Sequence, residues 1–356
     1  QEERRQALDL LPTPERVGAA DAFSGRLSSP EAAAHLAALL AQPEWRRLSP
    51  TSLEAYAACP LAWCLGRLLR LAEPETPTLD LEAVGEGDWV HRALALYFSQ
   101  DALAPPRDPE DPGPRLAACL DQAEAALRLA GRAGHPSVNQ ARREVLLAGL
   151  TEVLRGEEEA LLGWQVVGLE RELDQSGLTI AVDQGPPLSF RGCIDRLERG
   201  ADAVRVTDYK HTNNQAKLRQ QAYPPEKPPS SPVTELSFFQ LPIYLAAAAQ
   251  ALGWPEGGIQ GRLVNTKRPV EKVVPTRVML PGDAFLTSDP GRRAELAQSG
   301  EINLFNTVAD LWGRLAGGDF VARPEKEQCG YCPYGLVCRA RVLTQGPDQA
   351  GEGENA

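Results

Sequence analysis

FRGCIDRLERGADAVRVTDYK, residues 190–210, decides how this chain is read. Two short apolar runs, Phe190–Leu197 and Val204–Lys210, each end in charge, and both have the length of a β-strand. A hairpin between them sets Asp195 and Asp208 side by side at the same end of adjacent strands. Period-two alternation then puts Asp208 and Lys210 on one face and Tyr209 on the other.

Two carboxylates and an ammonium are costly to hold together unless something charged is shared between them. A divalent hard cation satisfies both carboxylates, and Mg²⁺ typically takes one or two of them plus waters and phosphate oxygens. A lysine two residues on can orient an attacking water or offset charge developing on phosphorus. This is the equipment of phosphodiester hydrolysis, although an isolated Asp-x-Lys also fits two surface strands ending in solvated charge.

Outward from the hairpin, the preceding sequence is mostly helical. Pro30 to Leu40 reads as a helix with Pro at its start, within a helical, peripheral arm of residues 1–47 that reads as the end of a preceding domain. A hydroxyl cap near Ser49, followed by Glu54, opens a helix running through Tyr56, Cys59 and Trp63. Gly85 to Phe98 places Trp89, Ala93, Leu96 and Tyr97 at helical spacing, with His91 in the first turns. Residues 115–163 read as one or two amphipathic helices, inside a helical insertion spanning about 101–163. Strand-like runs follow at 164–169, 178–182, 188–197 and 203–209. A strong helix runs from Thr234 through Gln240 and Tyr244 to Leu252, with strands at 259–265 and 271–280 and a helix at 301–316. The Gly/Glu/Asn-rich residues 345–356 read as a disordered tail. The expected fold is α/β (α+β): one domain over 48–344, a mixed central sheet flanked by helices.

The chain has 356 residues and a net charge of −11, which argues against coating nucleic acid by bulk attraction but not against a local basic channel. It offers no run of roughly 20 apolar residues for a membrane span and no signal-peptide start. The seven cysteines are unevenly placed, with Cys329, Cys332 and Cys338 in a tight group. That spacing reads as a metal or cluster site in a reducing cytoplasm. The fourth ligand is Cys59, with Cys64 as the alternative, while Cys119 and Cys193 read as ordinary buried cysteines. Four thiolates suit zinc as well as iron–sulfur. No Gly-x-x-x-x-Gly-Lys-Ser/Thr phosphate loop is present.

Gly192-x-x-Asp195-Arg196, Asp208-Tyr209-Lys210, Gly87-x-x-x-His91 and Gln240-x-x-x-Tyr244 together resemble the RecB-like branch of the PD-(D/E)XK nucleases. The likeness runs from about residue 48 to 342 and is closest to the nuclease end of AddB-type helicase–nucleases. It implies a restriction-endonuclease-like core. His91, Asp195 and Asp208 would then be Mg²⁺ or Mn²⁺ ligands together with the Tyr209 backbone carbonyl, Lys210 would serve the attacking water, and Gln240 and Tyr244 would position the DNA backbone. Glu170 is a further acidic candidate, and Arg196 suits an ion pair or a phosphate contact. The resemblance also implies a [4Fe–4S] cluster on Cys59, Cys329, Cys332 and Cys338, joining the segments before and after the core. The expected function is a DNA exonuclease on the 5′-terminated strand in double-strand-break repair, with a helicase motor upstream or on a partner. A free-standing CRISPR-adaptation-type nuclease and a non-catalytic DNA-binding module are the alternatives.

Overall fold

The computed structural model describes residues 25–72, 83–100, 103–183, 185–214, 236, 238–267, 278–324, 329–335 and 337–338. Helix α1 (Pro30–Leu40) begins at a Ser29 cap, and β1 (Arg47–Leu48) leads into α2 (Pro50–Ala58), capped by Ser49. The single helix expected through Trp63 breaks at Cys59, which is extended (φ −154°, ψ 103°) and restarts as α3 (Pro60–Trp63). The break is physical: the ring of Pro60 disfavours helical backbone at the residue before it. Helix α4 (Ala83–Phe98) follows, and the 115–163 run resolves into α5 (Gly113–Leu129) and α6 (Pro136–Ala160).

The strands are β2 (Gln165–Glu172), β3 (Thr179–Ile180), β4 (Leu188–Phe190), β5 (Cys193–Arg199) and β6 (Val204–Lys210). The run 188–197, expected as one strand, is two strands in two sheets. Gly192, at φ 151°, supplies the backbone turn between them that other residues rarely adopt. Helix α7 (Gln240–Leu252) starts at Gln240; the earlier start expected at Thr234 lies outside the described residues. Then come β7 (Ile259–Asn265), β8 (Val278–Met279), α8 (Pro290–Ser299) and α9 (Leu304–Ala316). Of the strand expected over 271–280, residues 271–277 lie outside the described residues, as does the 345–356 tail. Helix α8 was not expected, although Asp289-Pro290 is a sound start signal: the Asp289 side chain accepts from Arg292 N and Pro sits at the first helical position.

The main sheet runs β2-β5-β6-β7-β8, antiparallel except for the parallel β6–β7 pair, and a small sheet runs β1-β4-β3. This is the mixed α/β core that the sequence predicts. One face of the main sheet carries Val204, Val206 and Leu263 against α7, α2 and α9. Helix α1 adds Leu36 and Leu40 to the same core, so it is packed and not peripheral from that point on. The other face carries Tyr209 and Val264 against α4, α5 and α6. Gly261 brings α7 close to β7, since a Cβ there would lie 2.9 Å from Leu241. Among the described residues, no helix is long and apolar enough to cross a membrane.

Beneath α6, the second face is ionic. Arg196 is fully buried and donates to Glu157, Glu198 and the Tyr209 hydroxyl. Glu198, also fully buried, takes Arg205 as well, and Glu157 pairs with Arg262 at 2.7 Å. Three guanidinium groups thus share two carboxylates. The Trp164 ring lies 4.3 Å from the Arg205 guanidinium and the Ala160 carbonyl accepts from it, which helps to offset the excess. Arg196 is therefore an ion-pair residue. Arg196→Ala should leave this buried network short of charge and lower folding stability by about 3–5 kcal/mol. Chemical denaturation measures the loss, and a change under about 1 kcal/mol would mean that the carboxylates are satisfied in some other way.

Candidate active site

The β5–β6 ladder runs from Arg199↔Val204 to Arg196↔Thr207, and Asp195 and Asp208 stand just beyond its last pair. There the Asp195 carboxylate replaces the ladder: Oδ2 accepts from Tyr209 N at 2.7 Å. Its other oxygen, Oδ1, is 3.2 Å from His91 Nδ1, which reaches across from α4. The Asp208 Oδ1 accepts from Gln240 Nε2 at 3.0 Å, and Oδ2 lies 2.6 Å from Lys210 Nζ. Lys210 Nζ also donates to Gln240 Oε1 at 2.7 Å, and Gln240 Nε2 to the Tyr244 hydroxyl at 3.0 Å. The alternation expected of Asp208, Tyr209 and Lys210 is thus present: Asp208 and Lys210 meet α7, and Tyr209 meets Arg196 on the other face.

The structure brings His91, Asp195, Asp208, Lys210, Gln240 and Tyr244 into one linked set. Glu170 joins it from the end of β2: ligand atoms of His91, Glu170 and Asp195 all lie within 4.8 Å of one another. Glu170 has φ 45°, an uncommon conformation for a residue with a side chain, and this kink sits at the mouth of the site. Cys193, expected to be an ordinary buried cysteine, is only half-buried, and its thiol donates to Glu170 Oε2 at 3.4 Å. Burial, reinforced by Glu170, pushes that thiol well above its usual range.

One residue was assigned a different role by the sequence. Glu54 reads as part of the start of α2, yet its Oε1 accepts from Phe239 N at 2.8 Å and Gln240 N at 3.2 Å. It therefore satisfies the open N-terminus of α7 from another part of the chain and holds Gln240 in place. Nothing local to α7 signals this.

The site is electrostatically unbalanced in a specific way. Burial raises the Asp208 carboxyl to about 6, with Asp195 adding to the shift and Lys210 opposing it. Burial, then Asp195, also raises Glu170. Burial alone would lower His91, but the Asp195 carboxylate, backed by Asp208 and Glu170, lifts it to about 9. With His91 neutral, as a metal ligand must be, three carboxylates against one lysine leave two negative charges, the charge of one divalent cation, so binding of the cation would release the His91 proton. Carboxylate oxygens with one imidazole nitrogen form a donor set that fits Mg²⁺ or Mn²⁺.

A second set of residues lines a cavity of about 450 Å³: Cys59 at the α2–α3 break, then Cys329, Cys332 and Cys338, with Arg323 and Tyr334 beside them. Cys64 is not among its lining residues, and burial raises its thiol to about 11. Among the described residues, no three of the cysteine sulfurs lie within 4.8 Å of one another. Cys119 is fully buried in the core beneath α4.

The family model of the PD-(D/E)XK nuclease superfamily matches residues 47–339. No curated protein matches the chain. Nucleases of that superfamily are generally metal-dependent phosphodiester hydrolases that use Mg²⁺ or Mn²⁺. Mn²⁺ at about 100 times its dissociation constant should stabilise the chain by about 2.7 kcal/mol, seen as an upward shift in Tm. His91→Ala and Glu170→Ala should each remove most of that shift. A native chain whose Tm ignores Mn²⁺ and Mg²⁺ would rule out the metal group.

Proposed function

The chain belongs to the PD-(D/E)XK nuclease superfamily, and from that premise we propose that it is a metal-dependent deoxyribonuclease cutting DNA ends or single strands. The observation carrying this reading is the convergence of His91, Glu170 and Asp195 at one end of the sheet, with the Asp208–Lys210 pair on the adjacent strand. His91, Glu170, Asp195 and Asp208 hold the cation, with the Tyr209 carbonyl as a further donor. When bound, that cation lowers the pKa of its water and polarises a phosphoryl oxygen.

The chain's own residues do the rest. The Tyr209 N–H fixes the orientation of the Asp195 carboxylate. Lys210, held between Asp208 and Gln240, places an ammonium where it can orient the attacking water or meet charge growing on phosphorus. Gln240 offers a polar group toward the backbone of the bound strand, and the buried Tyr244, whose hydroxyl accepts from Gln240 Nε2, positions it. The strand specificity in this proposal is 5′-terminated, its setting is double-strand-break processing in the cytoplasm, and a helicase motor supplies the strand.

The proposal extends to a [4Fe–4S] cluster on Cys59, Cys329, Cys332 and Cys338, as in the RecB-like, AddB-type branch. A single zinc ion with bonds of about 2.3 Å draws its four sulfurs to roughly 3.8 Å apart. The four cysteines face one cavity, and the choice of a cluster over zinc rests on the resemblance to the RecB-like branch. Its role is structural, tying Cys59 to the far end of the domain.

Cleavage of 5′- and 3′-labelled single- and double-stranded DNA by anaerobically purified protein tests the activity. Cutting should require Mg²⁺ or Mn²⁺ and fall by more than about 10³-fold in Asp208→Ala, and the label pattern gives the polarity. Iron and sulfide analysis should show the cluster in the native chain and its loss in Cys332→Ser; bound zinc without iron refutes the cluster. Protein loaded with cluster and metal that cuts no DNA refutes the nuclease.

A further inference from the structure

Beside the metal group, on the β2 side, lies a groove of about 670 Å³ between α4, α5 and the end of β2. Its floor is small and apolar, largely alanine and leucine from α4, α5 and β2, while Arg92, Ser99 and Gln122 supply polar groups along it and Asp88, also on its lining, is neutralised by Arg132 at 2.5 Å. His91 and Glu170 form part of its wall, so it opens directly onto the proposed reaction centre. The volume falls within the range of about 300–1,000 Å³ typical of ligand sites.

Arg92 differs from the other arginines on this helical layer. Arg107, Arg128, Arg132, Arg142, Arg143 and Arg155 each hold a carboxylate. Arg92 is exposed and makes no hydrogen bond or ion pair among the described residues. It follows the ligand His91 directly in sequence, and its charge reaches Glu170. In a chain of net charge −11, this exposed cation beside an acidic site is available to an anionic group from outside.

We propose that this groove is the subsite for the nucleotide flanking the cleavage point on a single DNA strand, with Arg92 gripping that nucleotide's backbone phosphate. The proposal rests on the nuclease reading and adds a substrate-binding residue to it. A guanidinium matches phosphate geometry through two parallel N–H donors. The floor follows the contact between α4 and α5, a line along which one strand can be laid. With an apolar floor and no fixed row of base-reading donors, the subsite should accept any base.

The test is binding of a labelled oligo-dT strand of about 15 nucleotides, with Ca²⁺ replacing Mg²⁺, alongside cleavage kinetics in Mg²⁺. Arg92→Ala should weaken binding about tenfold and raise KM to match, with kcat within about twofold. The slope of log affinity against log salt should fall by about 0.7, the share of one single-strand phosphate, and Arg92→Lys should restore it. Ala126→Trp, at an exposed position, should block the groove without touching the charge, and weaken binding at least as much. Mn²⁺ affinity should not fall in any variant, since removing the Arg92 charge beside Glu170 can only favour the cation. Native-like binding and salt slope in Arg92→Ala overturn the proposal, as does a fall in Mn²⁺ affinity that accounts for the lost binding. A native chain that binds the strand without cutting it defeats the nuclease reading alone, because the Arg92 variants still decide the subsite. A native chain that does not bind the strand defeats both.

Discussion

A guanidinium buried without water must be neutralised where it lies, and the fully buried Arg196 imposes that demand on the centre of the sheet. It is met from three directions: Glu198 on its own strand, Glu157 on α6, and the Tyr209 hydroxyl on β6. These partners are hydrogen-bonded in fixed geometry, so β5, β6 and α6 cannot slip past one another without stranding a charge. A shift of one residue along β6 would put Tyr209 on the opposite face and take its hydroxyl from Arg196. The same shift would carry Asp208 away from Gln240. The polar network on one face thereby fixes the register of the catalytic candidates on the other.

Stability and chemistry pull in opposite directions across this sheet. On the α6 side, three guanidinium groups and two carboxylates share close, saturated contacts. On the α7 side and at the strand ends, burial raises the Asp208 and Glu170 carboxyls, with Asp195 adding to both shifts, and the same carboxylates hold the His91 proton against the burial that would release it. This acidic cluster is tolerable because the surrounding frame is rigid: Tyr209 belongs to the Arg196 network through its side chain and restrains Asp195 through its backbone N–H. One residue thus links the neutralised face to the unbalanced one.

Much of this was legible in residues 190–210, because strand alternation is a short-range rule. It foretold which of Asp208, Tyr209 and Lys210 share a face, and the helical spacings around His91 and Gln240 placed their helices correctly. What escaped was set by long-range geometry or by single backbone angles. The division of 188–197 between two sheets depends on Gly192, whose φ of 151° has no signature in hydrophobic pattern. The role of Glu54 depends on α2 and α7 meeting in space. Cys193 looked apolar in its strand, yet a kink at Glu170 brings a carboxylate against it. Helix α8 was different, since its Asp-Pro start was present to be read.

The position of α2 shows why the two candidate sites are not independent. Within its length it supplies Glu54 to the N-terminus of α7, sends the Tyr56 hydroxyl to the Asp319 carbonyl at 2.7 Å, and ends at Cys59 on the wall of the cysteine cavity. Helix α7 in turn begins at Gln240, which touches both Asp208 and Lys210. Glu54 and Cys59 lie just over one helical turn apart, so a displacement of α2 at the cavity is transmitted to the cap at Gln240. The Trp63 ring, stacked on Phe320 and edge-on to Tyr56, packs against the same end of α2 and resists that displacement. Structural support at the cysteines and order at Lys210 are therefore joined by a single short helix, through packing and hydrogen bonds that leave little slack.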